Sequence, residues 1–174
     1  MLRLFAAVGT AALLAASAPT LAADAKPNDA QIAHIAYTAG TLDIAAGKQA
    51  LAKSHDKAVR DFASEMVRDH GAVNDRALAL VKKLGVTPAP NPTSAMLKAE
   101  AYKERDQLAR LSGTAFDKAY VANEIAYHKT VNGALRDTLI PSAQNAELKS
   151  LLQTGLTLFA EHQAHAEHLA AHLK

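Results

Sequence analysis

The stretch VRDFASEMVRDHGAVNDRALALVKKL, residues 59–84, decides the fold. Alternating steps of three and four along it pick out Val59, Ala63, Met66, His70, Val73, Ala77, Leu80 and Leu84, with Phe62 alongside. That spacing keeps one face of an α-helix apolar, as a helix packed against other helices requires. The same stripe is broken at its middle by an imidazole, His70. Ser54 can cap the start of this helix and Gly85 its end, which sets it at about 56–84.

Working outward, the pattern predicts four more helical segments. The first covers 29–53, after Pro27 and an Asn28 cap. Three prolines make VTPAPNPT (86–93) an extended linker. A shorter helix follows over 94–110, ended by LSGT (111–114). The next opens on TAFD, where Thr114 is placed to cap and Asp117 to complete a capping box. It reaches about Leu139, where Pro141 and Ser142 end it. The last runs to the C-terminus. Four of these helices are about 40 Å long at 1.5 Å per residue. Short turns join the two outer pairs into antiparallel hairpins. The connection between the pairs spans the linker and the shorter helix, long enough to return the chain along the length of a bundle. The middle long helices are therefore expected to run parallel, as in ferritin-like bundles with one long crossover. The expected fold is all-α, a four-helix bundle with an extra short crossover helix.

Each long helix repeats the interruption seen at His70. The stripes read Ile32, Ala36, Ala39, Asp43, Ala46, Ala50; then Asp117, Val121, Glu124, His128, Val131, Leu135; then Leu148, Leu152, Gly155, Phe159, His162, Ala166, Leu169. An unpaired buried carboxylate or imidazole costs several kcal/mol. Four helices carrying one at similar heights are expected to bring them together. Counting back from the turns places Asp43 opposite Glu65 to Asp69, and His162 opposite Tyr120 to Glu124. A weak internal repeat aligns Asp69-His70 with Glu161-His162, and Asp43 with Glu124. The candidate metal ligands are His70, His128, His162, Asp43 and Glu124. Zinc, copper, iron or manganese suits that donor set. The same residues also suit a hydrogen-bonded His–carboxylate network that only fixes helix packing. Asp69 and Glu161 sit one step off the stripe and are expected in salt bridges. His165, His168 and His172 are expected on solvated helix surface, and His34 and His55 at surface or turn positions.

Other classes find little support. The chain has no Cys, which excludes thiolate ligands and disulfides, and a net charge of only +2. No Lys/Arg block interleaved with aromatics points to nucleic acid. No nucleophile elbow, glycine-rich phosphate loop or HExxH motif is present. The N-terminus has another character. MLR, the apolar run LFAAVGTAALLAASA and the small residues of PTLAADA form the three parts of a secretory signal peptide, cleaved after Ala22 or Ala23. The expected mature domain is 24–174, periplasmic or secreted, without a transmembrane segment.

The segments FASEMVRDH (62–70), GTAFDKAYVANEIAYH (113–128) and LFAEH (158–162) resemble the exported bacterial domain-of-unknown-function family 4142. The resemblance covers nearly the whole mature chain. It implies the ferritin-like superfamily, a predicted outer-membrane or secreted location, and no established reaction. Di-iron sites of ferritin-like proteins take a Glu-x-x-His pair from each of two helices. Here Glu124 and His128 are four apart and the acidic–His pairs are adjacent, so a mononuclear site is expected. Two functions follow: a metal-binding protein of redox or stress response, or a non-catalytic envelope protein that engages a partner or its own copies.

Overall fold

A computed structural model describes residues 26–173. The expected signal peptide, 1–23, lies outside the described residues. The regular elements are α1 (Asp29–Lys53), α2 (Lys57–Leu84), α3 (Pro92–Ala109), α4 (Gly113–Ala134), a π-helical segment (Leu135–Leu139), α5 (Ile140–Ser142) and α6 (Ala146–His172). Among the described residues there is no strand, and no helix is long and apolar enough to cross a membrane.

Helix boundaries follow their caps. Asn28 and Gln31 form a reciprocal capping box on α1. Gly85 closes α2 at φ 64°, a left-handed conformation that favours glycine. Two expected caps are corrected. Asp56, not Ser54, caps α2, accepting the N–H groups of Ala58 and Val59 at 2.8 and 3.1 Å. Ser54 is already committed to the end of α1, where its N–H bonds Ala50, and its hydroxyl accepts the Asp56 N–H. At α4 the Thr114–Asp117 box does not form. The N-cap position falls to Ser112, and Asp117 is buried instead. α3 starts earlier than expected because Asn91 caps it and Pro92 takes the first turn, where a missing N–H costs nothing.

Side-chain contacts fix the directions of the helices. Glu65–His165, Asp69–His162 and Lys83–Glu147 make α2 antiparallel to α6. Asn132 with Gln163 and Lys129 with Glu167 make α4 antiparallel to α6 as well. α2 and α4 therefore run parallel, as the long connection implied. α3 achieves this by climbing parallel to α1. Asn91 bonds Gln31, Gln49 bonds Arg105, and the Lys53 ammonium bonds the Ala109 carbonyl.

The antiparallel offsets correct the counting. Gly40 lies against Asn74, so Asp43 meets His70, one step beyond the expected 65–69. His162 packs beside His128, well beyond the expected 120–124. α6 does not continue from Pro141 but starts at Ala146, and the π-helical segment and α5 take up residues in the corner. At Gly47 an added Cβ would come within 3.0 Å of Val67 and 3.1 Å of the Ala63 carbonyl, so the glycine sets the approach of α1 to α2.

The core is in two parts. One holds Ala46, Ala50, Val59, Phe62, Met66, Phe116, Tyr120, Val121, Ala166 and Leu169. The other holds Ile32, Ile35, Ala39, Leu42, Leu135, Leu139, Leu148, Leu152 and Phe159. On every long helix the residue between the two parts is polar: Asp43, His70, Glu124 with His128, and His162.

Candidate metal centre

That polar layer holds all five expected ligands, in two groups that share His128: His70, His128 and His162 in one, Asp43, Glu124 and His128 in the other. His70, His128 and His162 are 2, 1 and 1 % exposed, and Asp43 and Glu124 are 2 and 1 % exposed. The three imidazoles form a nearly equilateral triangle, with ring centroids 5.6, 5.4 and 5.5 Å apart. One nitrogen from each lies within 4.8 Å of the others. Donor atoms about a tetrahedral ion with 2.0–2.1 Å bonds sit roughly 3.4 Å apart.

Hydrogen bonds select the free nitrogens. His128 Nδ1 is 3.0 Å from the Glu124 carbonyl, so Nδ1 carries the proton and Nε2 presents a lone pair. Its Nε2 lies 3.7 Å from Asp43 Oδ2. His162 Nε2 is 3.0 Å from Asp69 Oδ2, so Nε2 carries the proton and Nδ1 is left facing the interior. His70 Nε2 is 3.4 Å from Asp43 Oδ2, poorly aligned for a hydrogen bond. Six buried atoms of the layer thus have no partner: both Asp43 oxygens, both His70 nitrogens, His128 Nε2 and His162 Nδ1. Native interiors leave only a few such atoms unsatisfied in about 100 residues, so six in one layer stand out. On the far side Glu124 Oε2 lies 3.6 Å from His128 Nδ1 and is also unpartnered.

Burial sets the charges. It pushes the Asp43 carboxyl up to about 8. Glu124 is raised well above the carboxylate range by burial, with Asp43 adding to it. Burial lowers His128 to about 4 and takes His70 well below its usual value, aided by the other two imidazoles. His162 is lowered by burial against the opposing pull of Asp69. Left to itself the layer is a set of neutral acids and neutral imidazoles. A bound dication would reverse this for the carboxyls, since its charge favours the carboxylate form.

Several participants were not singled out in the sequence. Phe159 stacks on His70 with centroids 4.4 Å apart and closes one side of the layer. Tyr120 lies by Glu124 on the other. Asp69 makes the salt bridge expected of it, with Arg68, and reaches the layer as well. It bonds Arg68 on one side and His162 on the other, and the Arg68 hydrogen bond holds its carboxyl below the usual range. Its adjacency to His70 hid this, because neighbouring helix residues face different partners. Glu161 is exposed, so the Asp69-His70 and Glu161-His162 pairs are equivalent only in their histidines. His165 bonds Glu65 at 2.7 Å on the surface, and His168 stacks on His172, both exposed.

A family model described as "Domain of unknown function (DUF4142)" matches residues 14–169. No curated protein matches the chain, and no solved structure does.

Proposed function

The chain belongs to the DUF4142 family, and we propose that it binds one divalent transition-metal ion at the layer between its two cores. His70, His128 Nε2 and His162 Nδ1 supply nitrogen and Asp43 supplies oxygen. Glu124 orients His128 through its carbonyl, and Asp69 orients His162, the carboxylate–histidine–metal arrangement that raises ligand basicity. The observation that carries this is the meeting of one nitrogen from each of three buried imidazoles, with Asp43 beside two of them, in a layer that leaves six buried atoms unpartnered. Glu65 and Asp69, half-buried beside His162, give a cation an acidic approach from the surface. Three imidazoles and a carboxylate without thiolate suit zinc, copper or iron better than manganese. With copper or iron the bound ion would add electron transfer, which suits a redox or stress role.

The helix directions support a ferritin-like four-helix bundle whose ligands follow a mononuclear plan. The N-terminal MLR, apolar run and small residues support export to the periplasm, where such a protein could meet the outer membrane or an envelope partner. N-terminal sequencing of the protein recovered from the periplasm should begin at residue 23 or 24. An intact N-terminus in the cytoplasm would refute export.

The neutrality of the layer favours one other reading, a polar seam that fixes helix register without an ion. Elemental analysis of untagged protein separates the two. One equivalent of metal, lost in a His70→Ala/His128→Ala variant, supports the centre. No uptake after incubation with zinc, copper, iron and manganese would leave the seam.

A further inference from the structure

The lower core is not filled. A cavity of about 710 Å³ opens at the end of the molecule where α1 and α6 begin and α2 ends. Its walls are Ala39, Val73, Leu135 and Leu152, its mouth includes Lys26, and its floor is Phe159. Along α6 the lining runs from Leu148 to Phe159, about 16 Å of helix at 1.5 Å per residue. Protein interiors are close-packed, with few voids larger than a water molecule. The volume is that of a small-molecule pocket, which commonly falls in the range of about 300–1,000 Å³. The apolar stripe of α2 also stays half-open here: Val73, Ala77 and Val81 line the space and pack only partly on their neighbours.

Shape and charge narrow the occupant. The space is long, apolar along its walls and closed at the bottom by an aromatic ring. A cation stands at the rim, on an exposed residue. Asp29, three residues on, is occupied in accepting the backbone N–H groups of Gln144 and Asn145 at 2.8 Å each. We propose that this cavity binds one long-chain carboxylic acid, with its hydrocarbon tail running down to Phe159 and its carboxylate at Lys26. The site adjoins the imidazole layer across Phe159, which stacks on His70, and does not depend on a metal there.

The test uses the full chain and the fluorescent probe anilinonaphthalenesulfonate, displaced by dodecanoate and hexadecanoate. Saturable displacement with one acid per chain is expected. Ala77→Phe, which fills the cavity from a half-buried wall position, should weaken binding at least tenfold with an unchanged circular dichroism spectrum. Lys26→Glu should weaken dodecanoate severalfold and leave dodecanol unaffected. The chain has no Trp, so Thr138→Trp at the rim gives an independent reporter whose emission should shift as the acid binds. Non-saturable uptake, full affinity in a folded Ala77→Phe, or no displacement by either acid would overturn the proposal. A dimer that excludes both probe and acid would give the cavity to a second copy and overturn it equally. Equal losses for acid and alcohol in Lys26→Glu would overturn the placement of the carboxylate.

Discussion

His128 and His162 reach the same interior with opposite nitrogens protonated, because each gives its N–H to a different oxygen. The Glu124 carbonyl takes one and the Asp69 carboxylate takes the other. Asp69→Asn keeps the shape and weakens the acceptor. It should lower metal affinity about 10–100-fold, the usual effect of losing such a partner, measured by competition with a chromophoric chelator. The buried acid has its own signature. Asp43 titrates near 8 in the folded chain and near 3.9 when unfolded. A carboxyl with a raised folded value contributes stability that is fully present at low pH and is lost as pH rises through the folded value. His128, lowered to about 4, acts oppositely: the unfolded chain takes its proton below about 6.5, so acid costs stability there. Between about pH 6.5 and 8 the buried acids are still changing, Asp43 together with Glu124, which burial also raises. The metal-free melting temperature should therefore fall over that window, and Asp43→Asn should reduce the slope. That all five residues are buried in one layer was legible in the sequence, since a break in each stripe at one height has few other geometric meanings; that they fall into two sets sharing His128 was not. Which nitrogen faces inward was not legible, because it depends on Asp69 reaching across from a neighbouring helix.

At the scale of the elements, the apolar stripes and the Gly and Asn caps located every helix to within a few residues. The misses have local causes. Ser54 and Asp56 both qualify as caps, and the choice went to Asp56 because Ser54 was closing the preceding helix. Thr114 and Asp117 match a capping box, but Asp117 turns inward. The stagger between α4 and α6 was out of reach, since turn counting assumes symmetric corners. Close packing of α1 on α2 rests on small residues that a periodicity treats as ordinary core. Gly47→Leu would drive a branched side chain into Val67 and the Ala63 carbonyl. Overpacking of this kind costs about 1–3 kcal/mol. Urea denaturation should show a midpoint lowered accordingly with an unchanged slope, and an unchanged midpoint would mean the two helices part freely.

For the molecule as a whole, the parallel course of α2 and α4 sets four polar positions at one level, and the proline linker with α3 is what makes that course possible. An ion held at this level touches all four long helices, so it links them in a way no single helix pair can. At a free metal concentration 100 times the dissociation constant, the folded state should gain about 2.7 kcal/mol. Calorimetry should register this as a raised melting temperature that EDTA reverses and the His70→Ala/His128→Ala variant lacks. The unfilled lower core was invisible in the sequence, where Val73, Ala77 and Val81 read as ordinary stripe. The π-helical segment Leu135–Leu139 bears on how such a layer can persist through descent. Its turn holds one residue more than an α turn, with the Ile140 N–H reaching back to the Leu135 carbonyl. Gaining or losing one residue inside a regular helix rotates everything beyond it by about 100°. A one-residue insertion or deletion in this corner, between the π turn and the break at residues 143–145, should therefore leave His128 before it and Leu148 after it facing inward, where the same change inside α2 would turn His70 away.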